Sequence, residues 1–182
     1  ANDTIVAAAM LISQVQTVIS RSIDPIQSGV VTLGKIDGGT IRNVIAGHTR
    51  IEGTIRGLTQ KMIETIDQRL KDICEGIGRS YNMTVNLELN QGGYWPVENN
   101  SELTKRFISY MKSTPSVNFI ETEPAMTGED FGFLLAKFPG TMFWLGVDDD
   151  SQLHSATLKP KEEAIQRGVD AITGFLEYRM TE

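Results

Sequence analysis

Residues 30–56 read VVTLGKIDGGTIRNVIAGHTRIEGTIR, and the spacing of apolar residues within them decides the fold. Val30 to Ile36 reads as a strand, stopped by the turn formers Asp37-Gly38-Gly39. From His48 onward the residues alternate. Thr49, Ile51, Gly53 and Ile55 face one way, while His48, Arg50, Glu52, Thr54 and Arg56 face the other. A period of two describes a strand with one buried face and one presented face. Ahead of this pair, Ile5, Ala8, Ile12, Val15 and Ile19 recur at helical spacing, with Asn2 or Asp3 as N-cap and an end near Ser20. Behind it, Met62, Ile66, Leu70, Ile73 and Ile77 mark a second helix that starts at Thr59 and ends near Gly76 or Gly78. Met83, Val85, Leu87 and Leu89 then alternate with polar residues as a third strand. The order is α-β-β-α-β. With one strand in front of Ala1 it becomes βαββαβ, a ferredoxin-like α+β sandwich lacking its first strand.

Gln91-Gly92-Gly93 and Trp95-Pro96 read as a linker, which divides the chain into units 1–91 and 92–182. Beyond it, Leu103, Phe107 and Met111 mark a helix, Val117 to Ile120 a short strand, and Phe131, Leu134 and Leu135 another helix. Thr141 to Val147 is almost wholly apolar, as expected of a strand covered on both faces, and Ile165, Val169, Ile172 and Leu176 mark a terminal helix. Helices alternating with buried strands make an α/β layer. So few strands make a poor parallel sheet, so this second unit reads as the edge of a larger one.

Composition narrows the function classes. The 182 residues are 40% hydrophobic, 22% charged and 7% aromatic, ordinary values for a folded chain. A net charge of −6 disfavours nucleic acid as a partner, because phosphate binding needs clustered Lys and Arg. A single cysteine excludes an internal disulfide framework and fits a reducing compartment. No basic segment precedes the apolar opening, and no run reaches the ~18 apolar residues of a spanning helix, so the expectation is a cytoplasmic chain with no membrane partner. Two histidines, His48 and His154, are few ligands for a metal centre.

Several residues carry candidate chemistry. His154 follows the apolar 141–147 segment, in the kind of loop where α/β proteins place ligands, and a neutral imidazole there suits a metal; a plain surface histidine is the commoner account. The preceding Asp148-Asp149-Asp150 begins like a calcium loop but lacks the glycine and glutamate that complete one. Thr127, Gly128 and Glu129 lie where a chain enters a helix, and their N–H groups could receive a carboxylate; Glu129 and Asp130 otherwise simply complement the helix dipole. Asn43, between two strands, and Arg56, on the presented strand face, are donors, and a guanidinium can hold a carboxylate through two bonds. A turn role and a solvated charge are their plainer readings. Cys74 reads as packing and His48 as surface.

Taken in order, GKIDGGTIRNVIAG (34–47), RIEGTIRG (50–57), MTGEDFGFLL (126–135), FPGTMFWLGV (138–147) and LHSATLKPKEEAI (153–165) resemble the amidohydrolase branch of the dinuclear metallopeptidases, the family of aminoacylases and carboxypeptidases. One departure is Ala46, where the family commonly has proline. The resemblance implies a βαββαβ lid that also forms a homodimer, followed by the C-terminal part of an α/β catalytic domain. It implies hydrolysis of a small N-acetyl amino-acid amide with two divalent ions, of zinc, manganese, cobalt or nickel. It further implies that His154 is a metal ligand, that Asn43 and Arg56 reach a substrate carboxylate, and that Thr127 and Gly128 touch the substrate backbone. About half of the family's chain, with most metal ligands and the glutamate general base, would then lie outside these residues, leaving this chain inactive by itself. Two alternatives stand beside this: another N-acyl amino-acid amidohydrolase, or a non-catalytic dimerisation module.

Overall fold

The computed structural model describes residues 2–92 and 94–181. Ala1, Gly93 and Glu182, which bound the two expected units and fall in their linker, lie outside the described residues. The elements run α1 (Thr4–Ser22), β1 (Gly29–Gly38), β2 (Thr49–Gly57), α2 (Gln60–Tyr81), α3 (Ser101–Ser113), α4 (Phe131–Leu135) and α5 (Glu163–Met180). They form two compact units. The first comprises Ala1–Val97 with Pro124–Phe133, and the second Glu98–Glu123 with Leu134–Glu182.

In the first unit β1 and β2 pair antiparallel, from Gly29↔Gly57 to Gly38↔Thr49, with an irregularity between Leu33 and Lys35 that leaves Gly34 as the extra residue. On the presented face Lys35 opposes Glu52, and their ion pair at 2.7 Å, with Arg50 Nε at 3.4 Å, holds the Glu52 carboxyl below its usual range. On the other face Val31, Leu33 and Ile55 pack against a core of Ala7, Val15, Val18, Met62, Ile66, Leu70, Ile73 and Ile77. Burial also pushes the Cys74 thiol up, in keeping with a packing role.

Asp3 caps α1, accepting from the N–H groups of Ile5 and Val6. The buried stripe of α1 matches the expected one in part, at Ala8, Val15 and the core-packed Ile19. Ala7, Ala8, Val15 and Val18 face inward, while Ile5 is 48% exposed. This helix is apolar nearly all round, so periodicity alone could not choose its inner face. It is also long and apolar enough to meet the length and composition of a membrane span, contrary to the sequence expectation; its four buried residues show that part of this apolarity serves the core.

α2 runs past both Gly76 and Gly78 to Tyr81. It ends where Asn82 turns left-handed, at φ 49°, with the Asn82 N–H donating to Arg79 O and the Met83 N–H to Gly78 O. Those two bonds close the last turn, and the side chain of Asn tolerates the conformation. Gly78 is required there by space: a Cβ would lie 2.9 Å from Met83 O.

The third expected strand is absent as a paired element. The sheet among the described residues has two strands, β1 and β2. Met83, Val85 and Leu89 pack on the core but Leu87 is exposed, so the expected alternation holds only in part, and no neighbouring strand completes a backbone ladder among the described residues. The same holds in the second unit, where 117–120 and 141–147 form no paired strand. In place of a ladder, the Asn99 side chain brackets Met142, donating to its O at 3.0 Å and accepting from its N–H at 2.8 Å. Far from being covered on both faces, Trp144 and Leu145 are exposed. Phe107 of α3 meets Phe143 at 4.8 Å and Phe175 of α5 at 5.1 Å, which forms the centre of this unit. α5 packs through Ala164 and Gly168, so its apolar stripe of Ile165, Val169, Ile172 and Leu176 faces outward. The architecture is mixed α/β with a small antiparallel sheet.

Candidate substrate-binding site

The hairpin tip that carries Asn43 is a turn closed by the Val44 N–H donating to Ile41 O at 3.2 Å, with Arg42 and Asn43 at its centre. Asn43 is exposed, as are Ile41, Val44 and Ile45 around it. The loop is tethered at Ala46. Ala46 is buried, and its carbonyl accepts from both the Thr4 N–H, at 3.2 Å, and the Thr4 hydroxyl, at 2.9 Å. The N-terminus of α1 therefore fixes the base of this loop.

Arg56, at the end of β2, projects from the exposed strand face. Its Nη1 donates to Met126 O at 3.2 Å, 70 residues away in sequence. Among the described residues it has no carboxylate partner, so most of its donor capacity is available. The contact brings Arg56 beside Thr127 and Gly128, whose N–H groups make no hydrogen bond among the described residues. A guanidinium and two unspent backbone donors thus share one surface, a suitable receptor for an anionic group. Behind it the Trp95 N–H donates to Glu129 O at 3.2 Å in an isolated antiparallel bridge, and the Trp95 ring meets Phe133 at 4.9 Å. These contacts join 94–97 to 126–133, and no sequence signal announced them.

His154 belongs to the second unit. It is exposed and occupies the third position of a turn closed by the Ser155 N–H donating to Gln152 O, with φ 66°. That left-handed conformation is uncommon outside glycine, though histidine is among the residues found there more often. The surrounding loop is pinned by its acids. Asp148 pairs with Arg167 at 2.7 Å, and Asp149 accepts from the N–H groups of Ser151 and Lys159. Both carboxyls are held below the usual range, Asp148 by the bond and charge of Arg167 and Asp149 by the bonds from Ser151 and Lys159. These contacts order the loop. Among the described residues no three His, Cys, Asp or Glu side chains are grouped to hold a metal, and one imidazole does not make a dinuclear centre. The residues present do not fit such a centre by themselves.

Comparison with known proteins gives the family. The model of peptidase family M20/M25/M40 matches residues 6–178. The N-acetyldiaminopimelate deacetylase of Limosilactobacillus reuteri (strain DSM 20016) is 88% identical over 180 residues, covering 99% of this chain and 47% of the relative. The chain spans about half the length of the curated relatives it matches. Among solved structures, one from methicillin resistant Staphylococcus aureus, described as an aminohydrolase, superposes with a TM-score of 0.84 at 30% identity, over 94% of this chain and 45% of the other. A dinuclear metal binding peptidase from the M20 family of Bacillus subtilis superposes with a TM-score of 0.75 at 22% identity, over 95% of this chain and 45% of the other, a likeness of fold. Matched from residue 6 to residue 178, the chain belongs to peptidase family M20/M25/M40.

Proposed function

We propose that this chain is the substrate-facing half of a cytoplasmic amidohydrolase that converts N-acetyl-LL-2,6-diaminopimelate and water to LL-diaminopimelate and acetate, a step in lysine biosynthesis. In this reading residues 1–91 are the lid and dimerisation domain, and 92–182 are the closing part of the catalytic domain. The high identity to a relative bearing that name supports the reaction, and the available Arg56 guanidinium beside the Thr127 and Gly128 N–H groups carries the assignment of the binding surface. Two divalent ions, of zinc, manganese, cobalt or nickel, would supply Lewis acidity for amide hydrolysis in the full-length protein. Their ligands would come chiefly from outside this chain, and His154 would offer one imidazole.

The chain's own residues bind and orient. Arg56, steadied through Nη1, offers its remaining N–H groups to a substrate carboxylate, and Thr127 and Gly128 donate to the substrate's polar backbone end. Holding that end fixes where the acetyl group lies, and such orientation is a large part of the rate of any amide hydrolysis. Asn43, displayed at the hairpin tip, reaches the active site of a partner subunit. The open outer edges of a two-stranded sheet and the exposed Val6 and Met10 of α1 support a homodimer through this unit.

The test is kinetic, on a protein of the relatives' full length. Arg56→Ala should raise KM for N-acetyl-LL-diaminopimelate by about 10- to 100-fold with a smaller change in kcat, the loss expected of one charge-assisted contact. Arg56→Lys should fall between. An unchanged KM in Arg56→Ala would remove Arg56 from the binding surface.

A further inference from the structure

Gly128 has an ordinary backbone conformation, so its lack of a side chain needs another reason. The reason is Tyr94. A Cβ on Gly128 would lie 3.2 Å from both Cβ and Cγ of Tyr94, tighter than ordinary van der Waals contact. The next residue, Trp95, bonds Glu129 O through its N–H, and its carbonyl lies so close to Gly132 that a Cβ there would overlap it. Residues 94 and 95 therefore press on the 128–132 backbone from one side, while Arg56 holds Met126 O. Tyr94 is nevertheless 59% exposed, so its ring is not spent on core packing.

From the close approach of the Tyr94 ring to Gly128, with Arg56 fastened to the adjoining Met126, we infer that Tyr94 is a positioning residue that sets the Thr127–Gly128 backbone donors for substrate. The inference rests on the binding surface proposed above. The Tyr94 ring acts as a backstop: it fixes the backbone plane at Gly128, and with it the direction of the neighbouring N–H groups. Only the ring body is needed, so the hydroxyl is dispensable. Displacement of a substrate-holding group by a fraction of an ångström is enough to weaken productive binding.

The experiment uses the full-length protein with Tyr94→Phe, Tyr94→Ala, Gly128→Ala and the double variant. Tyr94→Phe should match the parent. Tyr94→Ala should raise KM for N-acetyl-LL-diaminopimelate by about tenfold while kcat stays within about twofold, with no change in thermal midpoint. In the Gly128→Ala background, Tyr94→Ala should add less than about twofold, because both act on one contact. Hydrogen exchange of the peptide covering 126–133 should quicken in Tyr94→Ala and not in Tyr94→Phe. An unchanged KM in Tyr94→Ala, effects that multiply in the double variant, or exchange indifferent to the ring would overturn the inference. A parent protein that releases no acetate would instead overturn the proposed reaction, and the exchange measurement would still decide whether Tyr94 sets this loop.

Discussion

Arg56 and His154 differ in how they are held, and the difference bears on how each was legible. Arg56 was readable as a donor on a presented strand face, because β2 alternates cleanly. Its acceptor, Met126 O, was not readable, since no pattern in sequence links positions 70 residues apart. His154 stood out only by its place after an apolar segment and by family resemblance. What the sequence could not convey is that the neighbouring acids are pins. Asp148 and Asp149 have folded pKa values below their unfolded ones, so their contribution to order is present above the ordinary carboxylate value of about 4 and is lost as pH falls through the folded values. An NMR titration of the chain should give both midpoints below those of model carboxylates. Arg167→Ala should move the Asp148 midpoint upward and leave Asp149 in place, because Asp149 owes its shift to Ser151 and Lys159. An Asp148 midpoint indifferent to Arg167 would contradict the pairing.

Among the elements, the apolar stripe of α2 predicts its buried face, whereas that of α5 marks a helix but faces outward. α2 carries Met62, Ile66, Leu70, Ile73 and Ile77 on a single face, and all are buried. α1 has apolar residues on most sides, and its expected stripe is only partly the inner face: Ala8 and Val15 are buried and Ile19 packs on the core, while Ile5 is exposed. Extended segments exposed a different gap. Alternation at 83–89 marks Met83, Val85 and Leu89 as packing residues but fails at Leu87, and apolarity at 141–147 does not bury Trp144 or Leu145; a strand needs a neighbour, and neighbours are not encoded in a segment's own pattern. The element-level account puts the anchor of the first unit at Ile66, which is wholly buried between α1, α2 and the sheet. Ile66→Ala should cost about 2–5 kcal/mol in denaturant unfolding, by lost burial and the cavity left behind. Ile165→Ala, on the bare outer face of α5, should cost about 0.5 kcal/mol or less. Equal losses at the two positions would contradict the assignment of core and surface.

On the scale of the whole molecule, the chain covers 99% of itself but 47% of its curated relative. The bare stripe of α5 and the exposed Trp144 and Leu145 are apolar surface that these residues leave uncovered. The fold class is legible because helical and strand periodicity can be read from each segment alone; no metal centre can be read in the same way, since among the described residues no three His, Cys, Asp or Glu side chains are grouped to hold one. If the first unit forms the homodimer, then Val6→Asp with Met10→Asp should shift the full-length protein toward monomer in sedimentation, since both side chains lie on the exposed face of α1. A dimer unaffected by both charges would place the interface elsewhere. The central claim is that these 182 residues bind and orient substrate while the remainder of a longer protein completes the metal chemistry. Acetate release from N-acetyl-LL-diaminopimelate, measured with added divalent metal for the full-length protein and for this chain alone, tests it most directly. The account predicts release by the full-length protein and none by the chain; release by the chain alone, or none by either, would contradict it.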